Sequence, residues 1–490
     1  MSAQVGRRDV LRGAVATAGA WGLGGVVPAW PQQGASAPGP LPDATLALTR
    51  FLTATAYRDL PPQAIEHAKM IIASTLASAA VGRSIDSARI FRDLAKEQGG
   101  RAEATIWFDG ARVPASVAAR VNAGLSDAAA SDDSDIRNTA HHGTTLAAAG
   151  LALAERTGAS GQDLLHAMVL GYEAGGRVGE ARQGGRGGLH ASQVVAFASA
   201  AASAKLLKLS DVQMAHAMGI VATTVGGLGT GTNSWAREYM GANAAFAGVE
   251  AALAAGRGYT VNEDMVGARG GFVDVFGGGV DAASRLTADL GRSWDIVEFL
   301  AIKLWPGAHP FSGTLEAAVN AAREANVAPA SVAKILVSGQ GRAAIGGSRR
   351  PKDLVEAIHS LPYFVASAVA DKDFTWVHAT DKKIFDPMVT RLMDLVELDP
   401  APPPVRYTWG WGGTVTIVTT SGARFTSTVD APRGSAPRGI TWRDVEDKYR
   451  ALMPESGLPA RRLGEVLETI RGFDNVKAVS PFVRLLVPVG

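Results

Sequence analysis

Histidine is scarce in this 490-residue chain, nine in all, so its placement is informative. His141-His142-Gly143 follows the acidic run Asp132-Asp133-Ser134-Asp135 and precedes a helical stretch beginning near Leu146. A histidine at a helix N-terminus can act on an anion held by the free backbone N–H groups there. Gly187-Gly188-Leu189-His190-Ala191-Ser192 opens another long helix in the same manner, its glycines leaving room for a ligand. Lys303-Leu304-Trp305-Pro306 places a lysine among apolar neighbours. Burial there would lower its pKa toward general-base range, or it could pair with a substrate carboxylate. Ser360-Leu361-Pro362-Tyr363 adds a phenol beside a helical segment. Two imidazoles, an amine and a phenol suit proton transfer at carbon. Each also has a structural alternative: a capping or core histidine, a snorkelling lysine, a core tyrosine with its hydroxyl satisfied.

Other chemistries are set aside by what the chain lacks. It has no cysteine, which removes disulfides, Cys-ligated zinc and Cys-ligated iron–sulfur clusters. The glycine-rich Thr223–Gly231 segment follows a helix rather than a strand, the wrong context for a dinucleotide loop. There is no HExxH, Walker loop or Gly-x-Ser-x-Gly elbow. His141, His142 and the nearby acids have no third ligand at useful spacing, so no metal is expected. A net charge of +2 without a basic–aromatic cluster argues against nucleic acid.

These groups are carried by a soluble chain, 47% apolar and 19% charged. Residues 1–42 read as a signal peptide and leader. Arg7-Arg8 precede a soft apolar stretch from Gly13 to Val27 and a cleavage-like Val27-Pro28-Ala29, suggesting the twin-arginine route and a periplasmic protein. No later stretch is apolar enough for stable membrane insertion. Residues 43–301 follow a helical pattern, with Ile65, Ala68, Ile72 and Leu76 at helical spacing after Pro61-Pro62. Further helices are expected at Leu146–Glu155, Asp163–Glu173, Ala191–Leu207, Val212–Val221 and Ala242–Ala255; their Ala and Gly content permits close packing. The character changes in residues 302–437. Val332–Ser338 reads as a strand, Gly413–Thr420 with Ala423–Val429 as a hairpin, and Asp353–Ala370 and Pro387–Val396 as helices. Residues 438–490 return to helix, opened by a Thr441/Asp444 capping box. The expected fold is mainly α, with an inserted α+β domain.

The order of these motifs resembles the MmgE/PrpD family from about Asp43 to the C-terminus. Asn122-Ala123-Gly124-Leu125 through Asp132-Asp133-Ser134 is similar to its Asn-Gly-Ala-Leu … Asp-Asp-Thr segment, and His141 to the His of its His-Pro turn. Gly188-Leu189-His190 with Ala200–Leu207 resembles its Gly-Phe-His and Ala-rich helix. Gly241–Gly256 resembles its Gly-x-Ala-Ala helix, Lys303–Pro306 its Lys-Pro-Tyr-Pro, and Ser360–Tyr363 its Ser-Leu/Ile-Pro-Tyr. The resemblance implies a helical domain built from both chain ends, a smaller α+β lid and a homodimer. It also implies a cofactor-free site between the domains, lined by His141, His190, Lys303 and Tyr363. The family pattern is broken at Ala130, Ala236, Tyr239 and Ser312, where it carries polar or charged groups, though His309 lies near the last.

The resulting expectation is proton chemistry on a small polycarboxylate. His141 or His190 serves as base and the other as donor or oxyanion partner. Lys303 and Arg237 hold carboxylates, Tyr363 orients or protonates, and Asp133, Ser134 and His309 contact substrate. A lyase is the first reading. An epimerase of a dicarboxylate and a non-catalytic carboxylate-binding protein are the alternatives.

Overall fold

The structure, a computed structural model, describes residues 43–488 apart from 184, 186, 225, 340–343, 406 and 408. The signal and leader reading therefore lies outside the described residues. The helices of the first part are α1 (Ala44–Ala54), α2 (Pro62–Gly82), α3 (Asp86–Gln98), α4 (Ala115–Ala128) and α5 (His142–Thr157). They continue with α6 (Gly161–Arg182), α7 (Ser192–Leu206), α8 (Asp211–Thr224) and α9 (Ala236–Gly256). Their starts follow local chemistry: Asp43 caps α1, Pro62 opens α2, and Ser160 with Asp163 forms a reciprocal capping box on α6. Each helix expected here is present, most of them longer than the apolar pattern suggested.

Small residues bring these helices close together. α7 packs against both α6 and α9, and α4 against α2, α5 and α9. Gly82, at the end of α2, faces the Leu125 carbonyl of α4; a Cβ there would sit 1.7 Å from that oxygen. The two backbones can cross at this spacing only because residue 82 has no side chain.

The first core runs from Ala44 to Ile302 and resumes at Ile440 through Leu486, so both ends of the described chain build it. A second core, from Leu315 to Val429, belongs to an inserted α+β lid. This lid carries α10 (Ser312–Ala325), α11 (Leu361–Asp371) and α12 (Pro387–Asp394). Returning to the body are α13 (Trp442–Leu452), α14 (Ala460–Arg471) and α15 (Val479–Leu485), with Thr441 capping α13. The single helix expected at Asp353–Ala370 is broken: a turn at Leu354–Ala357 stops before Ser360, whose hydroxyl caps α11 with Pro362 in its first turn.

Among the described residues, eight short strands complete the fold. β1 (Ala104–Thr105) pairs with β2 (Arg112–Val113), and β3 (Asp133–Asp135) with β4 (Leu300–Ile302), both antiparallel. The lid sheet contains β5 (Val332–Ser338), β6 (Val396–Leu398), β7 (Gly413–Thr419) and β8 (Arg424–Val429) in the order β6-β5-β7-β8, only β5–β6 being parallel. The β3–β4 pair matters most for the site. Asp133 is registered with Ile302, and the Lys303 N–H continues the ladder to the Asp132 carbonyl at 2.9 Å. On its other side, Ile302 donates to the Gly434 carbonyl at 2.8 Å, so the chain leaves for the lid and returns from it at neighbouring positions. Among the described residues no helix is long and apolar enough to cross a membrane.

Replacing Gly82 with Ala should push α2 and α4 apart and cost about 1–3 kcal/mol, typical of overpacking. Urea denaturation would show it as a lower midpoint with an unchanged slope; an unchanged midpoint would contradict the close crossing.

Candidate active site

The site is centred on Asp132, which is fully buried at the entrance to β3. Its register opposite Lys303 makes the two a cross-strand pair, with Lys303 Nζ 2.7 Å from Asp132 Oδ1. The other oxygen accepts from the Thr144 hydroxyl at 2.9 Å and lies 3.0 Å from His141 Nδ1. Ala130 (φ 49°) and Thr139 (φ 61°) adopt left-handed backbone on either side of this segment, an unfavourable conformation that the surrounding contacts must hold.

Asp133 has a different task from the substrate contact expected of it. Its carboxylate accepts from the backbone N–H groups of Gly143 and Thr144, at 2.8 and 3.0 Å, and so caps α5. The free N–H groups that might have held an anion are occupied by the protein itself. Gly143 permits the close approach, since a Cβ there would meet Asp133 at 2.7 Å. Burial, then the adjacent Asp132 charge, pushes the Asp133 carboxyl up to about 6, against the pull of His141 and the two N–H bonds.

The histidines have distinct proton states. Burial opposes charging His141, but the Asp132 carboxylate outweighs it and raises the imidazole above its usual range. Nδ1 also approaches the Asp133 carbonyl at 2.6 Å, while 17% of the side chain stays open and Nε2 has no partner among the described residues. His190 lies just before α7, and its Nδ1 accepts from the Ser192 N–H at 3.1 Å. That partner assigns the neutral ring a proton on Nε2, making His190 a donor rather than a base. Burial and the nearby His141 cation lower it to about 4.

His142 is not part of this group. It packs edge-on against Tyr172, 5.1 Å between centroids, with burial lowering it to about 4. Tyr363 is also elsewhere, in the core of the lid, donating to the His378 carbonyl at 2.5 Å; burial raises its phenol to about 12. The helix that Ser360 caps directs that ring inward. Arg237 is committed to protein groups, bonding the Asp127 carboxylate at 3.3 Å and carbonyl at 2.9 Å with Glu238 at 3.5 Å, rather than waiting for a substrate carboxylate. Ser134 lies on the same strand face as Asp132 by alternation, fully buried with a hydroxyl lacking a partner among the described residues. His309 packs at a tilt against Trp411, 4.9 Å between centroids; burial and the Lys303 and His141 charges hold it well below its usual range.

Two site residues were missed in the sequence. His359, next to the Ser-Leu-Pro-Tyr motif, feels the charges of Arg237, Lys303 and His141, which with burial depress it to about 3. Its Nδ1 lies 2.8 Å from the Val355 carbonyl, so Nδ1 holds the proton and Nε2 keeps its lone pair. Lys448 reaches in from α13, donating to Ser74 Oγ at 2.7 Å and to the Ser131 carbonyl. Burial lowers it to about 7. A lysine on an amphipathic helix gives no signal in the sequence that it will be drawn inward.

Asp127, Asp132 and His141 bring possible ligand atoms within 4.8 Å of one another, a geometry that deserves testing as a metal centre. The fit is poor. Arg237 already neutralises Asp127, Lys303 and His141 already neutralise Asp132, and the only His141 nitrogen near the carboxylate is Nδ1. A divalent ion would have to displace cations the chain supplies.

Asp132→Asn should leave Lys303 buried without its counter-charge and destabilise the protein by about 3–5 kcal/mol. Adding Lys303→Met should recover much of that loss in urea denaturation. A double variant as unstable as the sum of the single ones would contradict the pairing.

Comparison with known proteins agrees with the arrangement of two cores. The MmgE/PrpD N-terminal domain model matches residues 46–285, and the MmgE/PrpD C-terminal domain model matches residues 305–470. The chain is similar to cis-aconitate decarboxylase-like protein oryM of Aspergillus oryzae, 28% identical over 56% of this chain and 60% of that protein. It is similar to the cis-aconitate decarboxylase of Homo sapiens, 25% identical over 80% of this chain and 84% of that one. The cis-aconitate decarboxylase of Aspergillus terreus is 24% identical over 90% and 95%. With one domain model matched on each side of residue 303, the chain belongs to the MmgE/PrpD family.

Proposed function

We propose that this protein is a cofactor-independent lyase acting on a small di- or tricarboxylic acid. The observation that carries the reading is three imidazoles with different partners: His141 Nδ1 against the Asp132 carboxylate, which favours its charged form, His190 Nδ1 accepting from the Ser192 N–H, and His359 Nδ1 against the Val355 carbonyl. Separated proton states at one site mark acid and base roles. The similarity to proteins named cis-aconitate decarboxylase supports a carboxylic acid as substrate. The Arg7-Arg8 leader supports placing this chemistry in the periplasm.

A C–H bond beside a carboxylate is weakly acidic, so the site must stabilise the charge that develops on the oxygens. In a dehydration, His359 Nε2 takes the proton from carbon and the electron pair forms the C=C bond. The departing hydroxyl takes a proton from His141 Nε2 and leaves as water. His190 Nε2–H faces the carboxylate oxygen on which charge accumulates. His359 is a weak base in the free protein because it is buried and because Arg237, Lys303 and His141 add positive charge nearby. A polyanionic substrate neutralises those cations and raises the His359 pKa when it is needed. One base and one acid would serve elimination or epimerisation alike, and the similarity to proteins named cis-aconitate decarboxylase supports the lyase.

His359→Gln should lower kcat by about 10²–10⁴-fold as loss of a general base, and His190→Asn by about 10²–10³-fold as loss of an oxyanion donor. The purified enzyme would be assayed with citrate- and succinate-like acids in heavy water. Release of water or carbon dioxide is expected. Deuterium uptake without net change would instead indicate an epimerase, and binding with neither a carboxylate-binding protein. The pH profile has a definite sign. kcat/KM should be lost at the acid end, as His190 and His359 take up protons near 4 and 3. It should be lost at the alkaline end as His141 gives up its proton above its usual range. A rate already falling between pH 7 and pH 5 would contradict these assignments.

A further inference from the structure

The cations around Asp132 are almost all committed. Lys303 pairs with Asp132, Arg237 with Asp127 and Glu238, and Lys448 bonds Ser74 and the Ser131 carbonyl. A polycarboxylate bound here still needs a positive partner that is not already neutralised, because burying a carboxylate without one is costly.

Arg182, beside His190, has no carboxylate partner among the described residues; Lys448 has none either, but its ammonium is bonded twice and lowered to about 7. Arg182 is the last residue of α6, directly before the loop that carries His190. Its hydrogen bond among the described residues runs from Nη2 to the Leu189 carbonyl at 3.3 Å, which sets the guanidinium against the residue preceding His190. Nε is buried with no partner, and no carboxylate of the described residues lies within ion-pair distance. Burial alone shifts this guanidinium, downward, with no acidic group opposing it, and its charge helps depress His190. A guanidinium offers a planar fork suited to a carboxylate, and this one has fork atoms to spare.

We propose that Arg182 is the carboxylate-binding group of the substrate site, holding the acid group next to the carbon that loses its proton. This rests on the functional reading above and extends it. The carboxylate beside His190 takes up negative charge as the C–H bond breaks, and a fixed cation there stabilises that charge more than the resting acid. Sequence reasoning assigned carboxylate binding to Arg237, which the fold has already paired. Arg182 can supply the charge that Ala236 does not.

The competing role for Arg182 is structural, tying the helix end to the loop through Leu189, and the test separates the two. Citrate, tricarballylate and succinate are titrated calorimetrically into wild-type protein, Arg182→Gln and Arg182→Lys, and the tightest-binding acid is followed. Arg182→Gln is expected to weaken it about 10–100-fold and Arg182→Lys less. At least one monoamide of the same acid should bind wild type and Arg182→Gln alike, since the amide removes the charge that Arg182 recognises. The melting temperature of Arg182→Gln should match or exceed that of wild type, because an unneutralised buried charge is lost. Equal affinity of wild type and Arg182→Gln would overturn this proposal while leaving the lyase reading in place. So would equal weakening of acid and amides together with a lower melting temperature. Wild-type protein that binds none of the acids would overturn the functional reading, and this proposal with it.

Discussion

One buried carboxylate determines the electrostatics of the site. Asp132 is closed off from solvent and shared among Lys303, His141 and the Thr144 hydroxyl. A lone carboxylate in that position would be neutralised or excluded; paired on both oxygens, it remains charged and sits well below the usual carboxylate range, burial notwithstanding. The charge that His141 tends to hold follows from it, whereas His190 and His359 are depressed first by burial and then by nearby cations, His141 among them. Burial disfavours the charged form of all three imidazoles, and only His141 has the Asp132 carboxylate against it to outweigh that cost.

Holding these groups together requires the strand pair as much as the side chains. β3 and β4 are three residues each, but they join segments separated by more than 160 positions and form the junction between body and lid. The helical body supplies Asp132, His141 and His190 from loops ahead of its helices. The lid supplies His309 and His359. Neither core contains the whole site, and the hydrogen-bonded ladder at β4 is where their placement is fixed.

The helical body could be read from the sequence because its Ala- and Gly-rich helices repeat with a clear period and carry explicit start signals. The lid hairpin was equally clear from its β-branched run and the Ser421-Gly422 turn. The site was only partly legible. Asp133-Ser134-Asp135 has almost no strand propensity, so it read as an acidic loop; its pairing with Leu300–Ile302 is imposed by tertiary context. With that pair hidden, the contact between Asp132 and Lys303 was hidden too. His190 was found, but its role depends on a hydrogen bond from Ser192 that spacing cannot reveal. At the Ser-Leu-Pro-Tyr motif the phenol drew notice, whereas the cap at Ser360 turns Tyr363 into the lid core and leaves His359 outside the helix.

At the centre stands one contrast: Asp132 favours charge on His141, while burial and nearby cations keep His190 and His359 neutral. Nitrogen-15 NMR of the histidine rings in the substrate-free protein tests it most directly, with each signal assigned by single His→Asn replacement. The account predicts that at pH 7 His141 carries protons on both nitrogens, His190 on Nε2 alone and His359 on Nδ1 alone. A neutral His141 at that pH, or His190 and His359 titrating together near 6.5, would contradict it.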